Sequence, residues 1–418
     1  MPSSHRPLHH HSDLSITTTN TTTNNHNHNH ISSNGNKTPI PTPITYPELR
    51  SEFAHHDPSV VRINNGSFGS CPASVTAAQR RWQLKWLQQP DDFYYNQLKP
   101  SILRTRNVIK DLINADDVDE ISVVDNATTA AAIVLQHTSW AFAEGRFNKG
   151  DTAIILHYAY GAIKKSVHAY VSRAGGRVIE VHLPFPISSN EQIFSEFRKA
   201  LEDGKSNGHK VRLAVIDHIT AMPSVVIPAK ELVEICRNEG VDQIFVDAAH
   251  GIGCTKVDMK EIGADFYTSN LYKWDYSAQL VVPEVLGFVD RFEGGIEGVR
   301  ERNHEKVVEM GEMLVEAWGT NLGSPPEMCS SMAMVGLPSC LGISSDSDGL
   351  KLRTHLRDCF GVEVRICYTE PKDGEVDPIT GYAWISHQVY NSVDDYYKFR
   401  DAVNKLVNDG FTCALRSD

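Results

Sequence analysis

The chain from about residue 150 alternates short apolar runs with longer amphipathic segments. Runs such as "LAVID" and "IFVD" are almost wholly apolar, which is typical of strands buried on both faces of a parallel sheet. In the longer segments apolar residues recur every three or four positions, the period of a helix. We predict strands at 152–158, 177–182, 212–217, 243–247 and 264–268, and helices at 163–174, 190–203 and 229–239. This pattern predicts an α/β fold with a mostly parallel sheet covered by helices.

The flanking segments predict further elements. A helix capped by Thr45, a second helix at 73–87 stopped by Pro90, and a strand "ISVVD" that leads into a long apolar helix precede the repeat. From about residue 302, one long helix, several short strands and a last helix predict a smaller α+β domain. We therefore expect a large domain at 46–301 and a small C-terminal domain at 302–418.

Residues 1–45 form a segment of different composition. They are rich in Asn, Thr, Ser and His and nearly free of large apolar side chains, so we predict a disordered tail. Its His clusters are not accompanied by Cys, which favours a polar tail over a metal site. Arg6 and Lys37 are its basic residues, whereas a transit peptide needs several arginines. The composition favours the cytoplasm and leaves an organelle open.

Charge and cysteine content narrow the class of partner. The 418 residues carry a formal charge of -12, which gives no reason to expect nucleic acid or an anionic membrane as a partner. The eight cysteines include no CxxC pair, which argues against a zinc knuckle or a dithiol redox motif. We expect a small-molecule partner and no metal.

Polar side chains follow each predicted strand at its carboxyl end. Because the carboxyl ends of parallel strands meet at one edge of a sheet, we expect these side chains to share one crevice. A lysine amine, a carboxylate for a pyridine nitrogen, an aromatic ring and a helix N-terminus for a phosphate together suit pyridoxal phosphate. The residues are Asn126, Thr128, Thr129, Tyr158, Tyr160, Asp217, His218, Thr220, Asp247, His250, Asn270 and Lys273.

The ordered motifs "INNGSFGSCP", "DNATTA", "YAYGAIKKS", "VDAAHGIG" and "TSNLYKW" resemble those of a known family. The chain is similar to fold-type-I pyridoxal-phosphate enzymes of the class V aminotransferase group, in the branch of isopenicillin-N-epimerase-like proteins and plant L-cysteine desulfhydrases. The resemblance implies that Lys273 forms the Schiff base with the cofactor, that Asp247 partners the pyridine nitrogen, and that His250 lies beside the cofactor.

The same resemblance implies the remaining site residues. Ala127, Thr128 and Asn270 are expected on the phosphate side, Tyr158 on the ring face, and Thr220 and Tyr272 elsewhere around the cofactor; Asn65 and Gly66 are expected in the substrate-side loop. Several alternatives stay open. A lysine after a strand is usually a surface residue, "DNATTA" also suits a simple helix cap, and Tyr158 and Tyr160 are nearly equal candidates for the ring face.

Three features depart from the family pattern. Trp274 is joined directly to Asp275, where relatives have a few dozen further residues; Tyr272 precedes the lysine where the family has His; and Trp384 replaces an Arg that grips the substrate carboxylate. Arg365 is a possible substitute for that Arg, or a surface charge.

These observations lead to two hypotheses of different classes. The first is a homodimeric C–S lyase that converts L-cysteine to pyruvate, ammonia and hydrogen sulfide, impaired by the missing segment and by Trp384; desulfurase, epimerase and aminotransferase activities of the same family are the alternatives. The second is a catalytically inactive interaction protein of the same fold, such as a subunit that pairs with a full-length paralogue.

Overall fold

The computed structural model describes residues 42–270, 280–371 and 378–413, which belong to one compact unit. The helices are α1 (Tyr46–Glu52), α2 (Ala73–Gln88), α3 (Pro90–Asp92), α4 (Lys99–Leu112), α5 (Ala127–Ala143), α6 (Gly161–Val167), α7 (Asn190–Gly204), α8 (Ala229–Asn238), α9 (Met259–Ile262), α10 (Val282–Val289), α11 (Gly295–Trp318), α12 (Asp346–Phe360) and α13 (Val393–Asn408). The strands are β1 (Val61–Arg62), β2 (Thr152–Leu156), β3 (Arg177–Val181), β4 (Val211–Asp217), β5 (Gln243–Ala248), β6 (Phe266–Ser269), β7 (Met332–Gly336), β8 (Val362–Glu363), β9 (Arg365–Tyr368) and β10 (Gly381–Ser386).

The main sheet has the strand order β3-β2-β4-β5-β6, and each neighbouring pair is parallel. Every residue of β2 is buried, as the apolar run "TAIIL" predicts for a central strand. Along the chain β3 is added on one side of β2, whereas β4, β5 and β6 are added on the other side. The strand order therefore reverses between β2 and β4. Ligands of open α/β sheets bind at such a reversal, outside the carboxyl ends of the strands. The predicted α/β fold with a mostly parallel sheet is confirmed.

The helices begin and end at the expected signals. Thr45 caps α1 in a capping box, with the Glu48 carboxylate accepting hydrogen bonds from the Thr45 backbone N–H at 2.8 Å and its hydroxyl at 2.9 Å. At the other end of the chain α12 ends at Gly361, whose φ of 61° is the left-handed conformation that glycine adopts at low cost.

One predicted element is wrong. The segment "ISVVD" at 121–125 forms no strand, although its composition suits one. Arg106 of α4 explains part of this difference, because its Nε donates to the Ile121 carbonyl at 2.7 Å and so occupies an acceptor that a ladder would use. The segment runs on as irregular backbone to the start of α5.

A second hydrophobic core lies under a smaller antiparallel sheet. This sheet has the order β7-β10-β9, and β1 pairs in parallel with β8, so the N-terminal strand joins C-terminal elements. Ile63, directly after β1, is buried in the same core. The predicted boundary after residue 301 falls inside α11, and the division at that point stays a prediction. No helix in the described part of the chain is long and apolar enough to cross a membrane.

Candidate active site

A cavity of about 820 Å³ opens at the carboxyl ends of the main sheet. It is bounded by the start of α5 and by the segments that follow β4, β5 and β6, as expected from the strand order. Its volume lies in the range of small-molecule and cofactor sites. The lining side chains include Thr128, Tyr160, Asp217, Asp247, His250 and Asn270.

The N-terminus of α5 forms one wall and is held in a fixed position. Asn126 caps the helix by accepting from the Thr129 N–H at 2.9 Å, and the Asn270 side chain after β6 accepts from the Ala127 N–H at 3.1 Å. Among the described residues the Thr128 N–H has no acceptor. A free N–H at the positive end of a 17-residue helix is suited to a phosphate.

Asp247, one residue before the end of β5, lines the cavity and is 4% exposed. Burial raises the pKa of this carboxyl to about 6, and the Ala249 N–H, which donates to it at 3.1 Å, opposes that shift. Above that pH the group is a buried anion. A protonated ring nitrogen is a suitable partner for such an anion.

Asp217 lies beside Asp247; we expect it at the crevice from the sequence, which assigns it no particular contact with the cofactor. The two residues are direct partners in the β4–β5 register, and Asp217 is 3% exposed at the same cavity wall. Burial and the neighbouring Asp247 charge raise the pKa of Asp217 well above its usual range. The Asp217 Oδ2 atom has no hydrogen-bond partner within the described ranges. The sequence shows that a polar residue follows each of the two apolar strands. Only the strand register shows that Asp217 and Asp247 are neighbours.

His250 lies where the main cavity meets a smaller one. It lines both, and its ring stands edge-on to Trp384 with centroids 6.1 Å apart. A second histidine, His218, is buried behind the strand ends and bonds through Nδ1 to the Tyr267 hydroxyl at 2.9 Å. Burial lowers the pKa of His218 to about 4, so this imidazole is neutral at physiological pH.

The structure separates the two tyrosine candidates. Tyr160 lines the main cavity, whereas Tyr158 packs against the core and against His157, with ring centroids 3.7 Å apart. Thr220 is fully buried in the turn after β4. Its hydroxyl donates to the Pro223 carbonyl and accepts from the Val225 N–H at 3.1 Å, so it serves the turn itself.

Asn65 and Gly66 line the smaller cavity, of about 100 Å³, together with His250. The Asn65 side chain is engaged in the fold, since its Nδ2 donates to Asn391 Oδ1 at 2.9 Å and its Oδ1 accepts from the Tyr390 hydroxyl at 2.8 Å. Gly66 lies against Trp384, whose ring would be 2.7 Å from a Cβ at this position.

Trp384 lies within β10 and is buried in a hydrophobic cluster with Ile219 and Met332. It is 2% exposed, and its Nε1 has no acceptor in the part of the chain that the structure describes. The Arg365 guanidinium stacks over its ring at 5.3 Å. Lys273, Tyr272 and the join between Trp274 and Asp275 lie outside the described residues.

Comparisons with known proteins show the family of this chain. Residues 94–275 match the model of the family "Aminotransferase class-V". "Probable L-cysteine desulfhydrase, chloroplastic" from Arabidopsis thaliana is 60% identical and covers 90% of this chain and 89% of that protein. The chain belongs to the class-V aminotransferase family. "L-cysteine desulfhydrase" from the same plant is 53% identical over 88% of this chain and 93% of that protein.

More distant matches agree with this family. Isopenicillin N epimerase from Streptomyces clavuligerus is 24% identical over 58% of this chain and 56% of that protein. The apo structure of a cysteine desulfurase from Thermococcus onnurineus superposes with a TM-score of 0.63 over 84% of this chain and 95% of that chain; at 17% identity it shows the fold alone.

Family members depend on pyridoxal phosphate, and the cavity described above fits that cofactor. The Thr128 N–H at the start of α5, which has no acceptor among the described residues, suits its phosphate, and the buried Asp247 carboxylate suits its ring nitrogen. Alignment with the 60% identical relative spans 423 positions, whereas 90% of 418 residues is about 376. About 47 aligned positions therefore have no residue in this chain; that they form one segment after Trp274 stays a prediction.

Proposed function

We propose that this protein is an L-cysteine desulfhydrase, a pyridoxal-phosphate-dependent lyase that releases hydrogen sulfide from L-cysteine with pyruvate and ammonia. The observation that carries the proposal is 60% identity over 90% of the chain to a protein named as a probable L-cysteine desulfhydrase. The retained cavity supports it, because the phosphate wall and the Asp247 carboxylate are both present.

Each residue at the cavity has one task in this proposal. The start of α5, with Ala127, Thr128 and Asn270, holds the phosphate through backbone N–H groups and a side-chain amide. Asp247 would hold the protonated ring nitrogen, and His250, which lines both cavities, would lie beside the cofactor. When bound, pyridoxal phosphate withdraws electrons from the substrate α-carbon, so that the C–S bond at the β-carbon breaks.

Proton transfer at the substrate is assigned to Lys273. In this proposal Lys273 would hold the cofactor covalently, and its amine, when free, would remove the α-proton of the substrate. Tyr272 precedes it beside the cofactor. Both assignments rest on the family resemblance alone, because these residues lie outside the described ranges.

The purified chain, incubated with pyridoxal phosphate and L-cysteine, tests this function. We expect sulfide and pyruvate in equal amounts, and loss of both products in Lys273→Ala. Asp247→Asn should still form the covalent link between Lys273 and the cofactor but lose most turnover, because a neutral amide does not hold the ring nitrogen protonated. Turnover that is unchanged in Asp247→Asn would remove Asp247 from the mechanism, and alanine with persulfide in place of pyruvate would indicate a desulfurase.

A catalytically inactive interaction protein is the second candidate, and two observations favour it. About 47 positions of the relative are missing from this chain, and Trp384 fills the space beside Gly66. A folded chain that binds no pyridoxal phosphate, judged by its visible absorption, would favour this candidate over the lyase.

We infer a homodimer from the surface of the N-terminal helices. Large apolar side chains stand exposed on α2 and the segment that follows it: Leu87 is 71% exposed, Tyr94 56% and Tyr95 75%. Trp140 on α5 is 60% exposed as well. Exposed apolar patches of this kind mark protein interfaces. Sedimentation of the full chain tests it, and a monomeric mass with activity retained would overturn it.

The compartment is a separate proposal. The composition of residues 1–45 favours the cytoplasm, whereas the name of the 60% identical relative includes the word chloroplastic, which supports a plastid. A fluorescent fusion at the C-terminus, imaged in plant cells, distinguishes the two.

A further inference from the structure

Two carboxyl groups, those of Asp217 and Asp247, lie at the carboxyl ends of β4 and β5. The proposed function uses only Asp247. Asp217 and Asp247 are opposite each other in the strand register, so their side chains lie on the same face of the sheet. Both line the same cavity and both are more than nine-tenths buried. Neither makes an ion pair within the described ranges. Two buried like charges side by side, with no cation, are strongly unfavourable.

The partners of the two carboxyls differ. Asp247 accepts a hydrogen bond from the Ala249 N–H at 3.1 Å, a donor that favours its ionised form. Asp217 Oδ2 is buried at the cavity wall without any partner in the described chain. If one member of the pair keeps a proton, it is therefore Asp217, whose ionised form has less support.

Within the described ranges, the two buried side chains that pack beside the pair, His218 and Tyr267, supply no compensating charge. His218, next to Asp217, bonds to the Tyr267 hydroxyl and is neutral because burial lowers its pKa to about 4. Tyr267 on β6 also keeps its proton, since burial and the Asp247 charge raise its pKa. His250 and Asp125 line the cavity as well, and Asp125 adds no positive charge.

We propose that Asp217 carries a proton at neutral pH and acts as a positioning residue, which keeps Asp247 as the carboxylate of the pair. The cofactor pocket then presents one negative charge to one protonated ring nitrogen. The neutral O–H of Asp217 can then donate a hydrogen bond into the cavity. The role toward the cofactor rests on the proposed function; the protonation itself does not.

An infrared pH titration of the full chain without cofactor tests the protonation. We expect two buried carboxyl groups to lose their protons in separate steps, that of Asp247 near pH 6 and that of Asp217 on the alkaline side of neutrality. Asp217→Asn should abolish the alkaline step alone. Asp247→Asn should abolish the step near pH 6 and move the other to lower pH, because the neighbouring charge is gone. Asp348→Asn is the control, since hydrogen bonds from Ser344 and Ser345 lower the pKa of that buried carboxyl to about 2.

Binding of pyridoxal phosphate at about pH 7 tests the role. Asn resembles a protonated Asp, so Asp217→Asn should bind within about threefold of the unchanged chain, whereas Asp247→Asn should bind at least about tenfold more weakly. The inference is overturned if the folded unchanged chain shows both carboxyls ionised at pH 7, or if Asp217→Asn weakens binding as much as Asp247→Asn. The first of these outcomes, both carboxyls ionised at pH 7, is measured on the unchanged chain and needs no variant. Failure of the lyase assay alone leaves the titration intact, so the two proposals are separable.

Discussion

Replacing Asp247 by Asn should stabilise the protein without cofactor above pH 6. Burial raises the pKa of Asp247 from 3.8 to about 6. A group whose pKa is raised in the folded state favours folding below its unfolded pKa, and this contribution is lost as the pH rises through the folded pKa. At about 1.4 kcal/mol for each unit, the two units between those values amount to about 3 kcal/mol. The ionised carboxylate is thus a cost to the fold that Asn, which still accepts from the Ala249 N–H, does not have.

Urea unfolding of the cofactor-free chain, followed by tryptophan fluorescence, measures this difference. We expect equal free energies of unfolding for Asp247→Asn and the unchanged chain at about pH 4, and up to about 3 kcal/mol more for the variant at about pH 8. Asp348→Asn should behave in the opposite way and lose stability at pH 8, because the pKa of Asp348 is lowered. Parallel pH curves for Asp247→Asn and the unchanged chain would refute the reasoning.

Two further predictions concern the walls of the site. Gly66→Ala should destabilise the fold by about 1–3 kcal/mol in urea unfolding, because a Cβ would meet Met332 and the Trp384 ring, while Gly69→Ala, which has open space, should be near neutral; equal effects would contradict the packing seen here. Thr220→Val should cost about 1–3 kcal/mol by the same measurement, since the buried turn loses the hydroxyl that donates to the Pro223 carbonyl and accepts from the Val225 N–H; no loss of stability would show that the turn does not need the hydroxyl.

The sequence predicts the parts of the site that each follow a single apolar run. Asp247, His250 and the start of α5 follow recognisable apolar runs, and the structure brings them to one cavity. The relation of Asp217 to Asp247 depends on the register of two parallel strands separated by a helix, which periodicity does not fix. The same limit applies to Trp384 and Gly66, which are more than 300 residues apart in sequence and in contact in space.

The local sequence pattern also mispredicts secondary structure where a distant side chain hydrogen-bonds to the backbone. "ISVVD" has the composition of a strand, but the Arg106 guanidinium from α4 binds the Ile121 carbonyl at 2.7 Å. Likewise Tyr158 and Tyr160 are equivalent by spacing, and the turn after β2 directs only Tyr160 to the cavity. Turn geometry and tertiary hydrogen bonds decide such positions, and neither has a period in the sequence.

Trp384→Arg alone should not restore a substrate-carboxylate site. Trp384 is 2% exposed and lies under the Arg365 guanidinium, so an Arg at this position would be a buried cation beside another cation. An unpaired buried charge costs several kcal/mol, and the free energy of unfolding should fall accordingly. A relative's segment inserted after Trp274, in the same chain, is expected to supply the missing covering layer. We therefore expect sulfide release to rise by orders of magnitude in the double change and little in Trp384→Arg, with Trp384→Phe as the size-matched control. If the chain as it stands releases sulfide as fast as a relative that has both features, neither the missing segment nor Trp384 limits catalysis, and the defect assigned to them does not exist.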